Sequence, residues 1–387
     1  MTRIFIIADD LTGAAEIGGI AFRHGLSAII HHTGGNPSGT FPTAHADAII
    51  IDSDTRHLPP AEAAIKVQSI LQEINPADFD LIYKKTDSML RGPVAAELIA
   101  AMNTLSFETA LFIPQNPSRK RTIEAGHYFI NGIPLHQSPV AIDVGSVPDT
   151  ADVRLLLDPA GSLDIQCAMP GQSPLSKGIT IGNASSAAHI AQWTTHRNPN
   201  TLLAGGADFF TALLKSLGPN PLAPPKHIPE AKHTLTIFGS ASVPSRTFVA
   251  SLCDKGLSIC DVPTDPAALP ASHDQLLAQL RSTGRAYLAA RGAVDATRAM
   301  QIRQHKAELI ARLLSAAKID LLLIEGGATA AAIIQRLGWM SFDILAESAP
   351  GIVALRPIGR SSPVLILKPG TYPWPPDLLP TTGTPRS

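Results

Sequence analysis

One local pattern recurs through the first half of the chain and constrains the fold more than any other feature. A short aliphatic run ends in a polar, charged loop, and a helical segment follows. Ile4–Ile7 runs into Ala8-Asp9-Asp10-Leu11-Thr12-Gly13-Ala14-Ala15-Glu16. Ala46–Ile51 ends in Asp52-Ser53-Asp54-Thr55-Arg56, and Pro59-Pro60 then opens a helix to about Ile74. Asp80–Tyr83 ends in Lys84-Lys85-Thr86-Asp87-Ser88-Met89-Leu90-Arg91-Gly92, before a helix from Pro93 to Leu105, proline being tolerated at a first helical position. Ser27–His31 and Thr109–Ile113 complete the strands of this region. Strand, polar loop and helix in succession predict an α/β fold with a mainly parallel sheet. Ligands of such sheets bind at the carboxyl ends of the strands.

The regularity lapses over residues 118–185. There Arg119-Lys120-Arg121-Thr122 forms a basic cluster, and Ala125–Leu135 reads as a hairpin or arm turning at Asn131-Gly132. Helices are expected over Ser186–Thr195 and Asp208–Leu217, with a strand at Thr201–Ala204. Gly218-Pro219-Asn220-Pro221-Leu222-Ala223-Pro224-Pro225 can continue neither a helix nor a central strand, and reads as a stiff linker. The expected division is a domain over 1–218, a proline-rich linker over 219–232 and a second domain over 233–387. The second half repeats the α/β pattern, with strands at His233–Phe238, Leu257–Val262, Tyr287–Ala290, Asp320–Ile324, Ile344–Glu347, Ile352–Leu355 and Val364–Leu367. Long helical signals cover Ala293–Ala317 and Ala330–Leu337. A cleft is expected between two such α/β domains.

A net charge of −1 gives no electrostatic reason to expect nucleic acid or membrane as a partner. No run has the length of a membrane span, and a cytoplasmic protein is expected. Cys167, Cys253 and Cys260 lack metal-ligand spacing and are too few and odd in number for a disulfide framework, so they read as small buried hydrophobes. The 13 histidines show no ligand motif, and no nucleophile elbow is present.

Chemistry-bearing residues fall in the post-strand loops. Asp9 and Asp10, then Asp52, Asp54 and Arg56, then Lys85, Asp87, Ser88 and Arg91 would converge on one edge of a parallel sheet. Such a set suits a small anionic polyol, with Arg or Lys for a carboxylate and Asp for hydroxyls. Each loop also has a plainer reading as a helix start, with Asp10 or Thr12 as N-cap. In the second half, Gly239-Ser240-Ala241-Ser242 and Glu325-Gly326-Gly327-Ala328-Thr329 could turn backbone N–H groups toward phosphate, though neither is a Walker A or dinucleotide motif. Lys368-Pro369-Gly370 adds a cation after the last strand.

Ala8-Asp9-Asp10-Leu11-Thr12-Gly13-Ala14 and Lys85-Thr86-Asp87-Ser88-Met89-Leu90-Arg91-Gly92 resemble motifs of the four-carbon acid sugar kinase family. Further matches follow in the family's order: Asp52 with Arg56, Arg121-Thr122, Gly239-Ser240, Gly326-Gly327-Ala328-Thr329-Ala330, Pro350-Gly351, and Lys368 with Gly370. The resemblance implies ATP-dependent phosphorylation, with Mg2+, of the terminal hydroxyl of threonate, erythronate or 3-oxo-tetronate. It implies a sugar-acid-binding N-terminal domain and a nucleotide-binding C-terminal domain, and allows a homodimer. By position, Asp9 and Asp10 would be catalytic; Asp52, Arg56, Lys85, Asp87, Ser88, Arg91 and Arg121 would bind the sugar acid. Ser240, Gly326, Gly327, Ala328, Thr329, Gly351, Lys368 and Gly370 would bind nucleotide, and no residue is assigned to metal. Thr371-Tyr372-Pro373-Trp374 stands where the family has a Phe-Gly step. That departure motivates the alternative of a non-catalytic ligand-binding or regulatory homologue.

Overall fold

The computed structural model describes residues 2–34, 46–143, 148–218, 228, 230–240, 242–291, 296–370 and 372–379. The chain separates into two compact units, Met1–Ala223 and Pro224–Ser387. The dividing point falls within the proline-rich stretch at 219–232, of which 219–227 and 229 lie outside the described residues, as do Ala241, Thr371 and 380–387.

The N-terminal unit contains strands β1 (Ile4–Ala8), β2 (Ala28–His32), β3 (Ala48–Asp52), β4 (Leu81–Lys85), β5 (Thr109–Ile113), β6 (Arg121–Glu124), β7 (His127–Ile130), β8 (Ile133–Pro134), β9 (Ile165–Ala168), β10 (Gly178–Gly182) and β11 (Thr201–Gly205). Its helices are α1 (Leu11–Arg23), α2 (Pro60–Gln72), α3 (Val94–Leu105), α4 (Pro139–Asp143), α5 (Val153–Leu157), α6 (Ala187–Trp193) and α7 (Ala207–Ser216). The main sheet runs in the order β2-β3-β1-β4-β11-β5-β10-β9, and the pairs along it are parallel. Strands β1, β3 and β4 are buried along their whole length, as expected where helices cover both faces of a parallel sheet. The chain builds β2 and β3 on one side of β1 and then places β4 on the other, so β1 sits at a topological switch point.

Two differences from the sequence expectation have clear causes. The arm is three strands, β6-β7-β8, rather than one hairpin, because a second turn precedes the Asn131-Gly132 turn. Ala125-Gly126 and Asn131-Gly132 both have positive φ at both residues, which suits a two-residue hairpin turn. In addition β4 extends through Lys84 and Lys85, so both lysines belong to a buried strand rather than to a loop.

The C-terminal unit contains β12 (Thr234–Phe238), β13 (Cys260–Asp261), β14 (Arg285–Ala289), β15 (Leu321–Glu325), β16 (Ser341–Ala349), β17 (Ile352–Pro357) and β18 (Val364–Lys368). Its helices are α8 (Val243–Asp254), α9 (Leu269–Thr283), α10 (Ala296–Ala316) and α11 (Gly327–Leu337). Strand order is β13-β14-β12-β15-β18-β17-β16, parallel as far as β18 and antiparallel beyond it. Helix α9 had no counterpart in the sequence reading. Its buried residues Leu269, Ser272, Leu276 and Leu280 form a sparse stripe among polar neighbours. Separate apolar cores, around Phe5, Ile51 and Phe112 in one unit and Leu252, Leu323 and Ile366 in the other, hold the sheets. The three cysteines are free thiols; Cys260 is buried, but Cys167 and Cys253 are only half-buried.

Candidate functional site

Strands β3, β1 and β4 are neighbours, and in register Ala8 lies beside Asp52 on one side and Lys85 on the other. Their following loops therefore emerge side by side. Asp9, Asp10, Arg56 and Asp87, read from three separate stretches of sequence, meet there as one charged cluster.

Arg56 is its hub. Its Nε donates to Asp9 Oδ2 at 2.7 Å, while Nη1 and Nη2 donate to the two oxygens of Asp10 at 2.5 and 2.8 Å. Nη2 also lies 3.8 Å from Asp87 Oδ1. Arg91 grips Asp87 separately, Nε to Oδ2 and Nη2 to Oδ1, both at 2.7 Å. These paired contacts need the planar guanidinium fork, which a lysine does not have. Asp10 is also the N-cap of α1, accepting from Gly13 N–H at 2.7 Å and from the Thr12 hydroxyl at 2.5 Å. The loop after β4 passes so close that a Cβ on Gly92, where φ is +86°, would sit 2.8 Å from the Arg56 carbonyl oxygen.

The electrostatics follow from this geometry. Burial opposes ionisation of Asp9, but the charges of Arg56, Lys84 and Lys85 and the Arg56 hydrogen bond outweigh it and hold the carboxyl below its usual value. Burial likewise opposes the Asp87 charge, and Arg56 and Arg91 overcome it, holding that carboxyl well below the usual range. Asp9 is 2% exposed, and its Oδ1 has no hydrogen-bond partner. Asp10 keeps 17% of its side chain open, with both oxygens engaged.

The other candidates divide. Lys85 is buried near Asp9, donates to the Thr86 carbonyl at 2.9 Å and lies 3.5 Å from Glu16. Ser88 Oγ accepts from Arg121 Nη1 on the arm, and the Ser88 carbonyl accepts from the Tyr128 hydroxyl, so the arm braces the loop after β4. Asp52 stands apart. It is fully buried and accepts from His32 Nδ1 at 2.6 Å and from the Asp54 N–H at 3.0 Å. Burial works against charge on His32, yet its hydrogen bond to Asp52 and that carboxylate's charge hold it above its usual value. One buried support was missed from sequence: Lys84 pairs with Glu97 of α3 at 2.9 Å, and Glu97 also accepts from Thr55. Lys84 looked like its neighbour Lys85; only the alternation of side chains along a strand sends the two to opposite faces. Grooves of about 510 and 690 Å³ at the opposite, amino-terminal strand edge, against Pro76, Phe107 and Asn200, lie away from this cluster.

In the C-terminal unit the adjacent strands β12, β15 and β18 bring together the loops bearing Gly239-Ser240, Gly326-Gly327-Ala328-Thr329 and Gly370. They border a cavity of about 260 Å³, closed on another side by α10. A Cβ on Gly239 would lie 2.0 Å from the Glu325 carbonyl oxygen, so only glycine permits this approach of two loops. A second cavity of about 250 Å³ shares Phe238, Ser240, Arg246 and Ala290 with the first and is otherwise lined by Val249, Ala250 and Cys253 among others.

Two residues with expected nucleotide contacts are not among those lining the first of these cavities. Lys368 is fully buried, 2.7 Å from Glu325, and donates to the carbonyls of Pro369 at 2.9 Å and Tyr372 at 2.5 Å. Gly351 forms the β16–β17 turn, its N–H donating to Glu347 at 2.9 Å. Conversely Lys306, buried on α10 and lining the larger of these cavities, was hidden in a long helical pattern.

Among the described residues, no three His, Cys, Asp or Glu side chains group to hold a metal. The carboxylates nearest the cluster already face arginines. This donor set fits a magnesium ion carried on nucleotide phosphates, since Mg2+ keeps waters and phosphate oxygens as ligands.

A charged switch-point cluster in one α/β unit and glycine loops over a cavity in another define a two-domain ligand-binding α/β protein. Residues 4–211 match the family model of a sugar-binding N-terminal domain, and residues 235–372 that of a nucleotide-binding C-terminal domain. The chain belongs to the four-carbon acid sugar kinase family. It is 24% identical to the 3-oxo-tetronate kinase of Methylobacterium radiotolerans, over 95% of each chain. To the 3-oxo-tetronate kinase of Brucella melitensis it is 26% identical, over 96% of this chain and 93% of that one. It is 31% identical to the D-threonate kinase of Salmonella typhimurium over 144 residues, 36% of this chain and 33% of that one. In fold it resembles a Haemophilus influenzae protein at a TM-score of 0.70 and 19% identity, over 95% of this chain and 96% of that one. No described helix is long and apolar enough to cross a membrane.

Proposed function

We propose that this protein is an ATP-dependent kinase acting on the terminal hydroxyl of a four-carbon sugar acid, in the cytoplasm. The observation that carries the reading is the cluster at the β1 switch point. It combines ionised aspartates with arginines and a lysine, the chemistry that recognises a small hydroxylated carboxylate. The relatives that match along their whole length are kinases of such acids by name, which supports the same reading.

Phosphoryl transfer asks the protein for positioning, charge neutralisation and an acceptor for the hydroxyl proton. In this reading Lys85 or Arg91 holds the substrate carboxylate, with Ser88 and Arg121 alongside. Asp9 takes the proton. Its Oδ1 carries no hydrogen bond, whereas both oxygens of Asp10 are engaged by Arg56 and the α1 cap. Because Asp9 is so enclosed, a hydroxyl reaches it only when neighbouring side chains shift. The loops after β12, β15 and β18 bind phosphates through backbone N–H groups, and the adjoining cavity beside Val249 and Cys253 takes the nucleoside end. Magnesium, when bound with the nucleotide, offsets phosphate charge. The segment around Lys368 and Trp374 does not argue for a degraded site, since Lys368 is occupied in the unit's own ion pair.

The deciding experiment is a screen of threonate, erythronate and 3-oxo-tetronate stereoisomers with ATP and magnesium, read by ADP release and by mass of the product. Acid-dependent ADP release with a phosphorylated acid is expected. ATP binding without turnover of any four-carbon acid would favour the non-catalytic alternative.

A further inference from the structure

Helix α10 presents Ala299, Ile302, Arg303 and Lys306 to the cavity bordered by the glycine loops, at the i, i+3, i+4, i+7 spacing of one helical face. Lys306 is 3% exposed. Its Nζ donates to the carbonyl of Phe238, the last residue of β12, at 2.9 Å. Among the described residues no carboxylate forms an ion pair with it. The nearby Glu325 is held instead by Lys368 at 2.7 Å and by the Ser245 hydroxyl at 2.6 Å. The described residues lining this cavity include Arg246, Arg303 and Lys306, and no aspartate or glutamate. A buried ammonium with a single carbonyl partner is a costly arrangement unless an anion completes it.

We propose that Lys306 is a phosphate-binding residue of the nucleotide site, its ammonium tethered to the Phe238 carbonyl so that the remaining N–H groups meet a phosphate oxygen beside Gly239-Ser240. This rests on the proposed nucleotide role of the C-terminal unit. The tether sits one residue before the loop it serves, so the cation and the backbone N–H groups of that loop are positioned by the same strand end.

The electrostatic surroundings agree. Burial pushes the Lys306 ammonium down to about 8, with Glu325 and Asp261 opposing the shift and Arg303 adding to it. Arg246 of α8 faces the same cavity. On the helices packed against α10, Asp274 and Arg281 of α9 are exposed, and Arg336 of α11 pairs with Glu308 at 2.9 Å. An arriving phosphate favours the charged form, so nucleotide binding takes up a proton once the free protein is above that value.

The test is calorimetric titration of the full chain with ADP and with adenosine, at constant magnesium, across this pH range. Wild type should bind ADP progressively more weakly as pH rises past about 8, with net proton uptake seen in buffers of different ionisation heat. Lys306→Met should weaken ADP roughly 10–100-fold, the scale of one charge-assisted hydrogen bond, leave adenosine within about twofold, and lose the proton uptake. Lys306→Arg should keep ADP binding without the pH dependence. If wild type binds no ADP at any pH, the nucleotide reading of the unit fails. If wild type binds and Lys306→Met binds equally, or weakens ADP and adenosine alike, the assignment of Lys306 is overturned. Should Lys306→Met not fold, wild-type proton uptake at about pH 8.5 decides: its absence overturns the assignment.

Discussion

Replacing Arg56 by methionine tests the hub of the cluster directly. The arginine makes three hydrogen bonds to two aspartates and lies within 3.8 Å of a third. The three carboxylates do not suffer equally. Asp87 keeps both bonds from Arg91, and Asp10 keeps the Gly13 N–H and the Thr12 hydroxyl. Asp9 loses the donor to Oδ2, its Oδ1 is already without a partner, and it is 2% exposed. One buried carboxylate left without a hydrogen-bond donor, offset only by the charges of Lys84 and Lys85, therefore dominates, and the expected loss is about 3–5 kcal/mol. In wild type, Asp9 and Asp87 sit below their unfolded value, so their contribution is present above about pH 4 and is lost as pH falls through the folded values. In Arg56→Met, burial of Asp9 loses its strongest opponent and the folded carboxyl rises. Protonation then relieves the penalty, so the gap between variant and wild type is widest near neutrality and narrows on acidification. Urea unfolding, read by hydrogen exchange on peptides from β1 and β4, measures the gap at about pH 7.5 and about pH 5. A loss below about 1 kcal/mol, or a gap unchanged between those pH values, would refute the reasoning. Arg56→Lys should recover only part, since a point charge cannot reproduce the fork.

Further outcomes are expected at Asp9, Asp10 and Lys368. Asp9→Asn should lower kcat by roughly 10²–10⁴-fold on the substrate found by the screen, as removal of a general base does. Asp10→Asn should instead act mainly through KM and α1 stability, so near-normal kcat in Asp9→Asn would sink the base assignment. Lys368→Met should destabilise the C-terminal unit by about 3–5 kcal/mol, and Lys368→Met/Glu325→Leu should recover most of that, since a buried pair replaced whole is better tolerated than one broken. Thermal unfolding of the two variants checks this; reduced ADP affinity in fully folded Lys368→Met with unchanged stability would mark Lys368 as a direct nucleotide contact.

Much of the fold was legible because its signals are local. Ile4–Ile7 and Thr109–Ile113 are apolar runs bounded by polar loops, and each forms a strand within a residue of its expected limits. Helix α9 was not legible, since only four of its fifteen residues are buried and they leave a sparse apolar stripe, although Pro270 at its start and Gly284 at its end are ordinary helix-boundary residues. The antiparallel turn of β16 and β17 was equally hidden, because strand direction is a property of pairing and not of the strand's own residues.

For the cluster, the sequence alone determined which residue types end which strands: Asp9 and Asp10, Arg56, then Asp87 to Arg91. It also determined that glycines follow β12 and β15, where chain must approach chain. Only the tertiary structure decided who meets whom. The order β3-β1-β4 gives Arg56 to Asp9 and Asp10, while the same sheet sends Asp52 inward to His32. Lys84 and Lys85 are adjacent and chemically alike, yet one pairs with Glu97 of α3 and the other with Glu16 of α1. Lys368 is enclosed in an ion pair, and Lys306, inconspicuous within a helix, lines the cavity. Composition and local pattern set what each segment can form. Charge partners distant along the chain are set by strand order and by which face a side chain takes.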